Sequence, residues 1–251
     1  MLALISDIHS NTEALGAVLE DIRAKDIKDI VCLGDVVGYG PNPVECVDMI
    51  REATRFCLQG NHDEAVTEGG GEDFRPQAKL AAEWTRSVLE PKQDADAVIK
   101  DRWQWLSQLP KVKKEGDVFF VHGSPRQPTK EYIFPRDAQS PSKMSALFND
   151  PTVRVIFGGH THIPGVWTRG GEFFSPDDLC NIYMVGESPV YVNVGSVGQP
   201  RDNNTHSSYV TFDGDTIVFR RVPYNHEATS AKILAIKELD EFFAKRLALG
   251  R

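Results

Sequence analysis

Five short blocks of the sequence are rich in histidine, aspartate, asparagine and glycine, and they contain five of the seven histidines. In chain order they are Asp7-Ile8-His9, Gly34-Asp35, Gly60-Asn61-His62-Asp63, His122-Gly123 and Gly159-His160-Thr161-His162. Imidazole nitrogens and carboxylate oxygens are ligands that first-row divalent metals prefer, and the blocks offer more of them than one ion needs. The pattern therefore predicts a hydrolase that binds two metal ions.

An apolar, strand-like run comes directly before each block, at 2–5, 29–33, 55–58, 117–121 and 154–157. Between the first two runs, one face of a predicted helix over residues 12–24 carries Leu15, Val18, Leu19 and Ile22. Alternating strands and helices favour a largely parallel sheet. Because the carboxyl ends of parallel strands lie along one edge of a sheet, the blocks are expected to meet there.

The middle and the end of the chain follow other patterns. Residues 64–110 contain no strand-like run and predict an inserted pair of helices, near 75–89 and 95–108. The tryptophans of this insertion have a spacing typical of core packing, although a place in a binding cleft is the alternative. An amphipathic helix is predicted at 228–247, where its apolar stripe would pack on the sheet or on a partner. Further strands are predicted at 153–157, 165–168, 182–186, 190–194, 207–212 and 215–222, and residues 1–251 are expected to form one domain.

Composition and charge argue against several classes of function. Of the 251 residues, 41% are apolar and 25% are charged, as in ordinary globular proteins. The formal charge of −8, without a basic stripe, argues against general nucleic-acid binding but not against small phosphorylated substrates. No apolar run approaches the roughly 18 residues of a membrane span, and no signal peptide is expected. Since the four cysteines form no CxxC pair, a cytoplasmic protein is expected, with homo-oligomerisation left open.

The five blocks, in this order, closely resemble the motifs of the calcineurin-like metallophosphoesterases, in particular the small bacterial and archaeal phosphodiesterase-like members. The motifs span residues 7–162, and Asn193-Val194-Gly195-Ser196 extends the resemblance to about residue 200. The resemblance implies an α/β fold that is a four-layer sandwich, with two packed mixed β-sheets flanked by helices.

The resemblance also implies a set of metal ligands. Two sets of three residues would each bind one ion: Asp7, His9 and His162 for the first, and Asn61, His122 and His160 for the second. Asp35 would bridge the two, because a carboxylate has two oxygens and a charge that offsets two nearby cations. The implied cofactor is two divalent metal ions per chain, of Mn, Fe, Zn, Ni or Co. A structural zinc site is the alternative, but it prefers cysteine ligands and no block contains cysteine.

His62 is the histidine that the metals would not need. The resemblance implies that it donates to the phosphate and protonates the leaving oxygen, which an imidazole can do near neutral pH. A hydroxide that bridges the metals would attack phosphorus in line. Asp63 would orient His62, although a carboxylate at the start of a helix explains this residue equally well.

The second block departs from the protein Ser/Thr phosphatases, which carry Gly-Asp-x-Val-Asp-Arg-Gly. This chain has Gly38 and Tyr39 where those proteins have the Asp that supports the histidine and the Arg that binds phosphate. Arg126 and Arg201 could replace the phosphate contact, or they are solvated loop charges. Tyr39, as a ring that could stack on a base, and Asn61 complete the candidate substrate-binding residues.

The sequence thus predicts a divalent-metal-dependent phosphoesterase for a small phosphodiester, nucleotide or phosphomonoester. A dinucleoside polyphosphate hydrolase is the alternative among enzymes, and a catalytically silent binding or scaffold protein is the alternative outside them. A silent member should have lost metal ligands or the equivalent of His62, and all of them are present here.

Overall fold

Two six-stranded β-sheets carry the fold in the computed structural model, which describes residues 1–71 and 73–251. The strands are β1 (Leu2–Ile5), β2 (Asp29–Cys32), β3 (Phe56–Cys57), β4 (Val112–Glu115), β5 (Val118–Val121), β6 (Val155–Gly158), β7 (Gly165–Thr168), β8 (Phe173–Phe174), β9 (Ile182–Met184), β10 (Val190–Asn193), β11 (Ser207–Phe212) and β12 (Thr216–Val222). Their order is β3-β2-β1-β11-β12-β9 in the first sheet and β4-β5-β6-β10-β7-β8 in the second. Each sheet contains three neighbouring parallel strands, β1 to β3 in one and β5, β6 and β10 in the other. The predicted sandwich of two mixed sheets is confirmed.

Helices pack on the outer faces of the sheets. They are α1 (Thr12–Ala24), α2 (Pro43–Ala53), α3 (Asn61–Glu68), α4 (Pro76–Leu89), α5 (Ala97–Ser107), a 3₁₀ helix (Pro135–Gln139), α6 (Pro141–Leu147), α7 (His226–Leu234) and α8 (Glu241–Leu247). α4 and α5 confirm the two predicted helices of the insertion, and α3 adds a third. Trp103 and Trp105 pack on the core beneath α1 and α2, as the core-packing interpretation expects. None of the helices in the described ranges is long and apolar enough to cross a membrane.

Large apolar side chains from both sheets form the core between them. Strands β6 and β10 are buried along their whole length, since the second face of their sheet is also covered. The ring of Phe157 lies 6.0 Å from that of Phe120 in the same sheet and 5.2 Å from that of Phe212 in the other. Buried aromatic rings remove much apolar area from water, so this layer holds the sheets face to face.

The prediction of one C-terminal helix over 228–247 is wrong. Two helices, α7 and α8, take its place, and Asp240 begins the second by accepting a hydrogen bond from the main-chain N–H of Phe242 at 2.8 Å. The expected packing of the stripe on the sheet is also wrong. Its apolar side chains cluster instead with the insertion and with one candidate site residue: Ile233, Leu239, Phe243 and Leu247 pack with Ala81, Trp84 and Tyr39.

Two short strands have no sequence signal. β4 reads Val-Lys-Lys-Glu, and three of its four residues are exposed because it is an edge strand. β8 contains two residues, also at an edge. An edge strand with charged side chains needs no alternation of apolar and polar residues, so such strands escape detection by pattern.

Phe157→Ala should lower the free energy of unfolding by about 3–5 kcal/mol, because it leaves a cavity between the sheets. Chemical denaturation followed by circular dichroism measures this loss. Leu80→Ala is the matched control, since Leu80 is 57% exposed on α4. The control should change the free energy by less than about 0.5 kcal/mol. Equal losses in both variants would contradict the central position of Phe157.

Candidate metal centre

The residues predicted to bind metal lie on loops that leave the carboxyl ends of parallel strands. Both sheets contribute, because their parallel strands end at the same edge of the sandwich. The structure brings these residues together from five strands: Asp7 and His9 after β1, Asp35 after β2, Asn61 after β3, His122 after β5, and His160 and His162 after β6.

Left-handed backbone turns direct many of these side chains inward. Five of the seven predicted ligands have φ between 49° and 69°, namely Asp7, His9, Asp35, His160 and His162. This conformation costs a residue other than glycine roughly 1–2 kcal/mol. Main-chain hydrogen bonds offset the cost: the N–H groups of Ile8 and His9 donate to the carbonyl oxygen of Asp35 at 2.9 and 3.0 Å. Strain that is held in this way is typical of functional sites.

The first group of possible ligands consists of Asp7, His9 and His162, whose ligand atoms lie within 4.8 Å of one another. The Nε2 atom of His162 is 3.1 Å from Oδ1 of Asp7 and 3.1 Å from Nε2 of His9. All three residues are buried. This is the set that the resemblance implies for the first ion.

The second group consists of Asp35, His122 and His160. The Oδ2 atom of Asp35 lies 3.3 Å from Nε2 of His122 and 3.7 Å from Nε2 of His9, so one carboxylate oxygen faces both groups. Asn61 places its side-chain oxygen 3.2 Å from Nε2 of His122. The arrangement matches the ligand set expected for a second ion with Asp35 shared.

Three of the histidines direct Nε2 towards the centre because a main-chain carbonyl oxygen accepts a hydrogen bond from Nδ1. This contact places the proton on Nδ1 and leaves the Nε2 lone pair for a cation. The acceptors are Val37 for His9 at 3.2 Å, Leu33 for His122 at 3.0 Å and Gln199 for His162 at 2.5 Å.

Unpartnered buried atoms at the centre fit divalent cations. Within the described part of the chain, Oδ1 of Asp7 and Nε2 of His160 are buried without a hydrogen-bond partner. Two pairs of imidazole nitrogens also face each other at 3.1 Å, one in each group. Burial of polar atoms without partners is unfavourable, and metal coordination would satisfy them. Imidazole, carboxylate and amide oxygen together suit first-row divalent metals.

The electrostatics of the centre favour positive charge. Burial opposes ionisation of Asp7 and Asp35, yet the neighbouring histidines hold the pKa of each carboxyl well below its usual range. Burial likewise opposes a charge on His122, but Asp35 outweighs it and raises the pKa of His122 to about 10. Burial and then the charge of His122 lower the pKa of His160 to about 3. A bound cation would displace the proton of His122 and supply its charge.

His62 lies beside the two groups of ligands. Its ring centroid is 5.0 Å from that of His9 and 4.3 Å from that of Tyr39. One of its ring nitrogens lies within 4.8 Å of ligand atoms of His9 and Asp35, so distance alone would also permit it to bind metal. Burial lowers the pKa of His62 to about 4, although Asp35 opposes this shift.

Asp63 supports the main chain and does not orient the His62 ring. Its carboxylate accepts hydrogen bonds from the N–H groups of Asp35, Gly60 and Val37, at 2.8, 2.9 and 3.2 Å. Nδ1 of His62 has no partner among the described residues. Burial and then the Asp35 charge raise the pKa of Asp63 to about 7. The helix-start interpretation therefore describes Asp63 better than the orienting role, and its contacts also fix the turn that carries Asp35.

A cleft of about 570 Å³ opens beside the predicted metal ligands. Three of the predicted substrate-binding residues, Tyr39, Asn61 and Arg201, line it together with His62. Arg126 is not brought there. Its guanidinium pairs with Glu131, and it lines a separate cavity of about 770 Å³ whose walls carry no predicted metal ligand.

Sequence reasoning missed several residues that line the cleft or support it. They are Phe74, Tyr132, Phe134, Gln199, Phe243 and Arg246. Gln199 lies between Asn193-Val194-Gly195-Ser196 and Arg201, and Tyr132 follows His122-Gly123 by nine positions, which was the available signal. Phe243 and Arg246 are far from every block, so only tertiary packing reveals them, and Phe74 lies in the insertion, which carries no block.

Comparison with known proteins identifies relatives along the whole chain. The profile of the calcineurin-like phosphoesterases matches residues 1–164. An uncharacterised protein of Methanocaldococcus jannaschii is 38% identical over 259 aligned positions, which cover 100% of this chain and 98% of the relative.

Solved structures give the same result. A metallophosphoesterase from Sphaerobacter thermophilus is 34% identical, with a TM-score of 0.79 and coverage of 100% of this chain and 99% of its own. A hypothetical protein from Pyrococcus horikoshii, at 20% identity and a TM-score of 0.74 over 100% and 99% of the two chains, shares the fold. The chain belongs to the calcineurin-like phosphoesterase family, which implies a hydrolase of phosphoester bonds, and it carries a cluster of possible metal ligands where such an enzyme needs one.

Proposed function

We propose that the chain is a phosphoesterase that uses two divalent metal ions to hydrolyse a small phosphodiester, nucleotide or phosphomonoester. The observation that carries this proposal is the position of Asp35, whose Oδ2 atom faces His9 on one side and His122 on the other. A single carboxylate oxygen between two sets of ligands is what a shared ligand of a two-metal site requires.

The two groups would hold the ions, with Asn61 completing the second. When bound, cations such as Mn, Fe, Zn, Ni or Co would offset phosphate charge and acidify the attacking water. The residues themselves contribute rigid placement. The carbonyl contacts to Nδ1 fix three imidazole rings, and Asp63 fixes the main chain around Asp35.

His62 is proposed as the proton donor to the leaving oxygen. It lines the cleft together with Asn61 and is packed between Tyr39 and Phe74, with ring centroids at 4.3 and 4.6 Å. Phosphate oxygens and a bound cation would change the charge around this imidazole, and its protonation in the complex is part of the proposal. A donor of this kind must be held in place by packing, since no side chain bonds to Nδ1 within the described ranges.

The backbone at Gly38 explains how His62 fits without the Asp of the protein Ser/Thr phosphatases. Gly38 has a φ of +92°, and a Cβ atom added there would lie 2.6 Å from Nδ1 of His62. No side chain fits at this position with the present backbone. The phosphate-binding Arg of those enzymes is also replaced, by Tyr39, while Arg201 supplies a guanidinium to the cleft from another loop. These differences favour small substrates over phosphoproteins.

Hydrolysis by metal-stripped and reconstituted protein tests the proposal. Bis-p-nitrophenyl phosphate, p-nitrophenyl phosphate, cyclic nucleotides, diadenosine tetraphosphate and a phosphoserine peptide would each be assayed with Mn, Ni, Co, Zn or Mg. We expect no turnover in the stripped protein, recovery as metal content approaches two ions per chain, and a higher kcat/KM for a diester or nucleotide than for the peptide. A peptide preference of about tenfold, or 1.4 kcal/mol, would reverse the substrate proposal. Activity that survives stripping, or a plateau at one ion, would exclude the two-metal site.

His62→Ala should separate metal binding from chemistry. If His62 donates a proton and is not a ligand, the variant should keep its metal content and lose about 10²–10⁴-fold in kcat. The loss should be smaller for p-nitrophenolate, an acidic leaving group that needs little protonation. His122→Ala is the comparison and should lose metal first. Parallel loss of metal and activity in His62→Ala would instead make His62 a ligand, which its distance to His9 and Asp35 allows.

Gly38→Ala tests whether packing positions His62. The added methyl group would overlap the ring and strain a left-handed turn, so we expect kcat to fall by about tenfold to a hundredfold with metal content retained. Gly16→Ala is the control, because nothing lies within 4 Å of the added Cβ on α1. The control should raise stability by about 0.5–1 kcal/mol without changing kcat. Full activity in Gly38→Ala would show that the position of the His62 ring is not critical.

A further inference from the structure

Two arginines of the cleft, from distant parts of the chain, converge on one neutral side chain behind its wall. Oε1 of Gln199 accepts hydrogen bonds from Nη2 of Arg201 at 2.8 Å and from Nη1 of Arg246 at 3.0 Å. Arg201 follows β10 in the chain, whereas Arg246 lies on α8. Gln199 thus holds two guanidinium groups side by side at the wall of the cleft.

Neither guanidinium is neutralised by an acidic side chain. In the parts of the chain that the structure describes, no Asp or Glu side chain forms an ion pair with Arg201 or Arg246, while Nε of Arg246 donates to a carboxylate oxygen of Arg251, the last residue of the sequence. Seven other arginines do pair with carboxylates: Arg51, Arg55, Arg86, Arg102, Arg126, Arg154 and Arg221. Of the other described arginines without such an ion pair, most are exposed, whereas Arg201 and Arg246 are partly buried and share one hydrogen-bond acceptor.

The positive charge of Arg246 is held in an environment that disfavours it. Burial, then the charges of Arg201 and Arg75, lower the pKa of Arg246 to about 9. Aromatic rings flank both groups: the Cζ atom of Arg201 lies 5.7 Å from the Tyr39 centroid, and that of Arg246 lies 5.1 Å from the Phe242 centroid. Two partly desolvated like charges repel each other, and an anion between them would relieve this repulsion.

Hydrogen bonds between the Gln199–Arg201 segment and His162 connect the two arginines to the candidate metal centre. The main-chain oxygen of Gln199 accepts from Nδ1 of His162 at 2.5 Å, and the N–H of Arg201 donates to the main-chain oxygen of His162 at 3.2 Å. One short segment therefore holds a metal ligand on one side and the two guanidinium groups on the other. Arg75 lines the same cleft, with Asp73 as the acidic residue beside it.

We propose that Arg246, held beside Arg201 by Gln199, binds a second phosphoryl group of the substrate. The substrate would then be an organic phosphate with two phosphoryl groups, one at the metal centre and one at the guanidinium groups of Arg246 and Arg201. A phosphoryl group suits the pair better than a carboxylate does, because its higher charge and three oxygens match two planar guanidinium groups. The identity of the reacting group rests on the proposed function, whereas binding at Arg246 needs no hydrolysis.

Competition between nucleotides tests this subsite. Adenosine 5′-monophosphate has one phosphoryl group, while adenosine 5′-diphosphate and adenosine 3′,5′-bisphosphate have two. Affinity would be measured by calorimetry in EDTA, which removes any preference due to chelation of metal, and by inhibition of bis-p-nitrophenyl phosphate hydrolysis in metal-loaded protein. We expect at least one of the two-phosphate ligands to bind about tenfold or more tightly than the monophosphate, the gain usual for added charge-assisted hydrogen bonds.

Variants of α8 assign the preference to Arg246. Arg246→Gln should reduce it to less than about threefold, while Arg246→Lys, which keeps the charge but not the planar fork, should retain part of it. Lys245→Gln is the matched control, since Lys245 neighbours Arg246 on the same helix, is 63% exposed and pairs with Glu241. This variant should keep the full preference, and thermal unfolding would verify that α8 remains packed in each variant.

The outcomes separate the two proposals. A wild-type preference below about tenfold, or a preference that persists in Arg246→Gln, would overturn the second phosphoryl subsite and leave Arg246 as a structural contact of α8. Because calorimetry does not depend on turnover, a chain that hydrolyses no phosphoester but prefers the two-phosphate ligands would contradict the proposed function alone.

Discussion

The site depends on the contact between the turn after β1 and the turn after β2. The N–H groups of Ile8 and His9 donate to the carbonyl oxygen of Asp35. The N–H of Asp7 donates to the carbonyl oxygen of Gly34. These hydrogen bonds maintain backbone conformations that Asp7, His9 and Asp35 would otherwise avoid. Only with both turns in place can the carboxylates of Asp7 and Asp35 face the histidines of the second sheet. The rest of the centre is built around this contact, including the Asp63 carboxylate, which accepts from the N–H of Asp35.

Packing of the second sheet against the first adds histidines to the two aspartates of this local arrangement. The inter-sheet layer around Phe157 brings the ends of β5 and β6 opposite the ends of β1 and β2, so His122, His160 and His162 reach the two aspartates. Buried carboxylates and imidazoles in such numbers would be unfavourable without compensation. The raised pKa of His122 is the compensation that the protein alone supplies. Bound divalent cations would add positive charge and would coordinate the buried atoms that have no partner among the described residues.

Sequence patterns predicted the parts of this molecule that are local. The blocks after strand-like runs indicated the sheet edge, since a predicted ligand such as His122 follows its strand directly. The patterns failed where distant packing decides. The stripe at 228–247 has helical periodicity throughout, but nothing in it indicates the break before Asp240 or the packing of Phe243 on Tyr39. Asp63 had two equally good interpretations, and only the three main-chain donors around its carboxylate distinguish them. The exposed edge strand β4 carries charges where pattern recognition needs apolar residues.

The residues expected to carry out the reaction are local to the motifs, whereas the residues expected to select the substrate are brought together by packing of distant segments. The predicted metal ligands lie on short loops next to strands, and these loops carry the motifs by which the family is recognised. The outer wall of the cleft comes from the insertion and from α8, through Phe74, Phe243 and Arg246. Gln199 joins the two parts, because its main chain holds His162 and its side chain holds Arg201 and Arg246. A substitution on α8 therefore changes the wall of the cleft without changing a predicted metal ligand, so the motif residues and the residues of the cleft wall can vary independently.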